Sequence, residues 1–191
     1  MPVSNCIFNL AICIDSSGDT QIDGIFEFEK YLAVQYNNNV TFTSQEKFID
    51  TMVNGFATYV ENYVPYGNYA TTEEVNGAIM DASPLKDSAG TQIGGCMHDV
   101  YTRSAGNLPI VVFILIDGDP NGDSYNLTEI SWLMRENSFM IQAGGFSSVS
   151  SDILTDITGD PDLFVYGTKV QELDFLIDYL TNDICELRFW I

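Results

Sequence analysis

Two stretches of the chain are apolar almost without interruption and stop abruptly at aspartate: Ile7 to Ile14 (IFNLAICI) and Pro109 to Ile116 (PIVVFILI). A half-exposed strand alternates apolar and polar positions, whereas a strand buried on both faces reads like these two, so both are expected in the centre of a parallel sheet. Phe139 to Ala143 and Leu163 to Tyr166 are shorter apolar runs separated by helical patterns, which continues the strand–helix alternation of a doubly wound sheet. Thr43 with Glu46 has the spacing of a capping box ahead of Phe48, Met52, Phe56, Val60 and Tyr63, which predicts a helix with those five on one face. Thr71 with Glu74 repeats the signal before Val75, Ala78, Ile79 and Ala82. Leu127 to Glu136 and Ser151 to Thr158 predict two shorter helices. Thr168 with Gln171 opens a last one, carrying Leu173, Leu176, Ile177, Leu180 and Ile184 at helical spacing.

The stretch from Thr20 to Ser44 has two readings. Ile25 to Tyr36 is a helix, or a strand turning at Asn37-Asn38-Asn39 into Val40 to Thr43, and a short helix or loop running into a hairpin is expected. No internal repeat, low-complexity tract or linker divides the chain. The pattern predicts one α/β domain over residues 1–191, with a core of about 6–185 and a tail of 186–191. Its architecture is a three-layer, doubly wound, mostly parallel sheet with helices on both faces.

Composition narrows the partners. The chain is 46% hydrophobic and 13% aromatic, enough to fold, yet carries 27 acidic against 7 basic residues for a net charge of -20. Such a surface repels a phosphate backbone and gathers cations, so nucleic acid is excluded as an expected partner. No apolar run reaches membrane-spanning length, and Met1-Pro2-Val3-Ser4 lacks the regions of a signal peptide. Four cysteines allow three complete pairings among Cys6, Cys13, Cys96 and Cys185. Cys13, inside an apolar run, reads as a small core residue. The sequons at Asn39 and Asn126 fit an extracellular or cell-surface setting.

In an open parallel sheet the ligand site lies beyond the carboxyl ends of the central strands. Here those ends read Asp15-Ser16-Ser17-Gly18-Asp19 and Asp117-Gly118-Asp119. Carboxylates and hydroxyls brought together there make an all-oxygen site for a hard cation, with open positions for water or ligand. His98 is the only histidine, so neither a histidine-based zinc cluster nor a serine triad is available, and it reads as a loop residue. Asp-Pro-Asn-Gly-Asp, which contains Asp119 and Asp123, reads as a turn. Tyr59, Tyr63, Tyr66 and Tyr69 read either as the lining of a binding surface or as packing.

These motifs resemble the von Willebrand factor A family, which includes the integrin I domains, over nearly the whole chain. The family's metal-ion-dependent adhesion site uses Asp-x-Ser-x-Ser after the first strand, a threonine from a middle loop and an aspartate in a Thr-Asp-Gly turn. Asp15 and Ser17 match the first motif, and Asp117 takes the last aspartate role with Ile116 in place of the threonine. Tyr69-Ala70-Thr71-Thr72 looks like the threonine loop. If Thr71 caps the following helix, Thr72 is left for the cation. Asp19 stands where the family has its second serine, adding a third carboxylate that would favour metal over ligand capture. The segment between the first motif and Thr72 looks short for the family's helix, two strands and helix, so a rearranged element is expected there. Ile153 to Tyr166 resembles the family's late helix and sixth strand. Leu173 to Cys185 resembles its last helix ending in Ile-Cys, with Cys6 and Cys185 the suspected disulfide and Val170 to Cys185 a switch by resemblance.

The resemblance implies a non-enzymatic binding module: Asp15, Ser17, Asp19, Thr72 and Asp117 hold Mg²⁺, or Ca²⁺ or Mn²⁺ in its place, and a protein partner supplies an Asp or Glu. The alternatives are a family-like structural or assembly domain whose site is empty or non-adhesive, a flavodoxin-like carrier using Ser16 to Thr20, and a phosphatase using Asp117 and Asp119. In the carrier Asp15 and Asp19 would face the phosphate, and the phosphatase needs a well-placed cation to hold it, whereas no Lys or Arg lies near either acidic turn.

Overall fold

The structure is a computed structural model, and it describes residues 6–17, 24–44, 46, 48–85, 90–104, 109–182 and 184–185. Strands β1 (Asn9–Asp15), β2 (Thr51–Phe56), β3 (Val60–Val64), β4 (Ile110–Ile116), β5 (Phe139–Phe146) and β6 (Phe164–Gly167) form one sheet in the order β3-β2-β1-β4-β5-β6. Every pairing is parallel except β2 with β3. Every residue of β4, and all of β1 after Asn9, is buried, as their unbroken apolar sequence requires.

Helices α1 (Ile25–Ser44), α2 (Thr72–Asp81), α3 (Ile93–Arg103), α4 (Leu127–Glu136), α5 (Ser151–Thr158) and α6 (Ile177–Asn182) cover the sheet. Two apolar clusters show that both faces are packed. Leu10, Ile12, Val53, Val111 and Phe113 meet α1, α2 and α6 on one side. Ala11, Cys13, Met52, Val112 and Ile114 meet α3, α4 and α5 on the other. The expected three-layer, doubly wound architecture is the one observed, and α4 and α5 have the expected bounds.

Three expectations are corrected. The hairpin lies at 51–64, not at 37–43: α1 runs unbroken through Asn37-Asn38-Asn39 to Ser44, and Met52, Phe56 and Val60 belong to strands. A spacing of four residues satisfies a helix face and also a period of two, so these positions fit either element. His98 lies in α3, stacked on Tyr125 at 4.2 Å between centroids. The last helix is split into a 3₁₀ segment (Val170–Phe175) and α6, and Thr168 N–H donates to Glu172 at 2.6 Å rather than pairing with Gln171.

Of the three pairings, the one formed is Cys6–Cys185 with Cys13–Cys96. Cys6–Cys185 ties the two ends of the fold, and Cys13 is more than a core filler, being bonded to Cys96 so that β1 is joined to α3. Cys13 and Cys96 are fully buried, so the second bridge staples the core itself. A cross-link closing a loop this long restricts the unfolded chain by about 2–4 kcal/mol. Replacing both Cys13 and Cys96 by Ala is therefore expected to lower unfolding free energy by about 2–4 kcal/mol, read from urea denaturation with Cys6–Cys185 intact.

Candidate functional site

Ile14 faces Leu115 across adjacent parallel strands, so Asp15 and Asp117 leave the sheet side by side where the connections diverge to opposite faces. Asp15 is fully buried and Ser17 nearly so. Asp15 Oδ1 accepts the Ser17 N–H at 2.9 Å, which folds the loop back over the strand end. Its other oxygen, Oδ2, is buried with no hydrogen-bond partner. Burial above all, and then the charge of Asp117, push the Asp15 carboxyl well above the usual carboxylate range, while the bonds from Ser17 oppose the shift.

A third acid stands beside this pair. Glu29, on the second turn of α1, is fully buried and neither carboxylate oxygen has a partner. Burial, then Asp15, then Asp117, raise its pKa well above normal. An isolated carboxylate in a protein interior is strongly unfavourable without a proton or a cation nearby. Nothing in the sequence Phe26-Glu27-Phe28-Glu29-Lys30 distinguishes Glu29 from its exposed neighbour Glu27; only the rotation of α1 on the sheet does so.

The structure does not bring Thr72 to this site. Leu10 at the start of β1 pairs with Thr51, and Asp50, just before Thr51, accepts the Gly67 N–H through Oδ1 at 2.9 Å. The chain entering α2 is therefore at the far end of the sheet. The opposite end of α2 reaches the start of α1, where Lys30 Nζ donates to the carbonyls of Met80 and Ala82 at 2.9 and 3.0 Å. Thr72 sits ten residues before Ala82, about 15 Å along the helix. Thr71 does cap α2, accepting from Glu74 N–H at 3.2 Å, but this cap lies at the end of α2 remote from Asp15.

Another threonine, Thr91, does lie at the carboxyl end of the sheet. Its backbone pairs with Asn121, in the loop leaving β4, by N–H to carbonyl at 2.9 Å, and the flanking Gly90 and Gln92 bond Thr58 and Ala57 at the β2–β3 turn. All of these lie at the carboxyl end of the sheet. The signal available was Gly90-Thr91 just before a helical pattern, masked by Gly94 and Gly95, which disfavour a helix. Gly94 suits this place: Asp123 Oδ2 accepts its N–H at 2.5 Å, and a Cβ would crowd that carboxylate at 3.0 Å. The rearranged element expected ahead of Thr72 is not found: α1, β2, β3 and α2 are all present.

Asp119 Oδ1 accepts the Ser150 N–H at 3.1 Å and so serves the turn before α5. Asp19 lies outside the described residues. Among the described residues no three His, Cys, Asp or Glu side chains converge as a metal cluster. The available donor set is thus two carboxylates with hydroxyls, which suits a hard cation retaining water. The orphaned Asp15 Oδ2 fits such an ion, and a phosphate would meet only like charge.

This is an α/β domain with an acidic loop site at the switch point of its sheet. Residues 9–178 match the von Willebrand factor type A domain, and the chain belongs to that family of non-catalytic interaction modules. No curated protein sequence matches the chain. Among solved structures it is similar to proximal thread matrix protein 1 from the mussel byssus, at 18% identity and TM-score 0.82 over 93% of this chain and 48% of that one. A structure of the same mussel protein has a zinc-occupied MIDAS motif, with 17% identity, TM-score 0.82 and coverage of 95% and 47%. The pilus adhesin SpaC from Lactobacillus rhamnosus GG is similar at 11% identity and TM-score 0.72, covering 95% of this chain and 31% of the adhesin. The chain therefore spans less than half the length of each, and these likenesses establish the fold.

The raised carboxyls make a pH prediction. A folded state that holds protons the unfolded chain releases is stabilised below the ordinary carboxylate range and loses that stability as pH rises through the raised folded values. In chelated protein, Glu29→Gln should raise the melting temperature at pH 7 by about 2–4 °C and flatten its decline between pH 5 and 7. An unchanged slope in thermal scans would remove Glu29 from this account.

Proposed function

We propose that the chain is a cation-dependent adhesion or recognition module. Asp15, Ser17, Thr91 and Asp117 hold a divalent ion, Mg²⁺ in the first instance, and an Asp or Glu of a protein partner completes its shell. The observation that carries this reading is the buried, unpartnered Asp15 Oδ2 beside Asp117 and Glu29, a concentration of negative charge that a cation relieves. Asp19 joins the set as a proposed further ligand, and Thr91 replaces Thr72 on grounds of position.

The zinc reported in the mussel protein supports an ion at this place in the fold, so Zn²⁺ belongs among the ions tested beside Ca²⁺ and Mn²⁺. Two disulfides and the sources of the similar structures, a byssus and a pilus, support an extracellular or cell-surface setting. A site walled by carboxylates disfavours the flavodoxin-like and phosphatase readings, both of which must hold phosphate.

Calorimetric titration into chelated protein should reveal one divalent site, with affinity reduced at least about tenfold in Asp117→Ala and Thr91→Ala and little changed in Thr72→Ala. Equal affinity in Asp117→Ala would sink the proposal. Partner binding that survives EDTA would instead favour an assembly domain that does not use its site.

A further inference from the structure

A cavity of about 560 Å³ opens between the edge strand β3 and the second half of α2. Glu61 and Tyr63 share one face of β3 and line the cavity with Tyr59 of the β2–β3 turn, Asp81 of α2 and Tyr69. Among the described residues the lining contains three phenol rings and two carboxylates, and no Lys or Arg. The ammonium of Lys30 is already held by the carbonyls of Met80 and Ala82, the latter in the lining, and paired with Glu27 at 3.0 Å.

Tyr63 is fixed in place. Its ring lies across Gly55, where any Cβ would come within 2.3 Å, and its hydroxyl hydrogen-bonds the Ser16 hydroxyl at 2.8 Å. Ser16 stands between Asp15 and Ser17, so the inner wall of the cavity is hydrogen-bonded directly to the acidic loop. Burial foremost raises the Tyr63 pKa to about 12, which keeps the phenol neutral with its ring intact as a π surface.

Aromatic faces with carboxylates nearby favour an organic cation over an anion or a purely apolar group, and the net charge of -20 acts in the same direction. We infer that this cavity is a subsite for a Lys or Arg side chain of the partner, placed beside the ion that receives the partner's carboxylate. The assignment rests on the proposed cation site only for the identity of the partner; the cavity's own chemistry is independent of it. A partner surface with a basic residue close to an acidic one is then selected over one with an acid alone.

The probe is Nα-acetyl-lysine amide, compared with its uncharged isostere Nα-acetyl-norleucine amide, titrated against protein with ¹³C-labelled tyrosine rings and followed by NMR. Saturable shifts of the cavity tyrosines are expected with the lysine compound, with Kd on the order of 10 mM or tighter, and none with the norleucine compound. Glu61→Gln combined with Asp81→Asn should weaken binding at least about fivefold without altering the melting curve, since both side chains are exposed. Equal binding of the two compounds, or a lysine response unaffected by the double variant, overturns the subsite. Mg²⁺ titrated into the same samples keeps the two readings apart. Protein that takes Mg²⁺ but not the lysine compound loses the subsite alone, and protein that takes the lysine compound but not Mg²⁺ keeps the subsite and loses the proposed ion.

Discussion

Three carboxylates gathered at one end of a closely packed sheet are the constraint around which this molecule is organised. Asp15 and Glu29 are withdrawn from water, and Asp117 adds its charge to both. A core made only for stability would place none of them there, because replacing buried charge with apolar groups usually stabilises a protein. The fully apolar strands β1 and β4, the two packed clusters and the buried bridge at Cys13 supply the stability that lets the site persist.

Much of this was legible because it follows from simple periodicity. A strand covered on both sides has no reason to alternate, so Ile7 to Ile14 and Pro109 to Ile116 announced themselves, and the aspartates that end them marked the switch point. The hairpin was not legible, since Met52, Phe56 and Val60 satisfy a helix and a strand equally well. Helix α3 was hidden by Gly94 and Gly95, whose lack of side chains answers close neighbours that the sequence does not show, Asp123 at Gly94 and Gln92 at Gly95. Because α3 does not show in the sequence pattern, Thr91 did not stand out as a loop residue ahead of a helix, and the proposal of Thr91 as a ligand comes from its position at the carboxyl end of the sheet. Glu29 could not be found at all from composition, because burial of a single acid depends on how α1 is seated.

The tyrosines illustrate the same dependence. On a helix Tyr59 and Tyr63 would pack inward one turn apart. With Tyr63 on β3 and Tyr59 in the turn before it, the two stand on either side of Glu61 in the wall of a cavity. Gly55 makes this possible by leaving room for the Tyr63 ring, so one absent side chain connects an edge strand to the loop that carries Ser16.

Cys6 and Cys185 lie just outside the first strand and just after the last helix. A pulling force applied to the polypeptide on either side of them runs through the sulfur–sulfur bond and bypasses the 179 positions that separate them. The sheet then bears no load along its strands. The acidic loop at its end keeps its shape under tension that would otherwise draw β1 out of register.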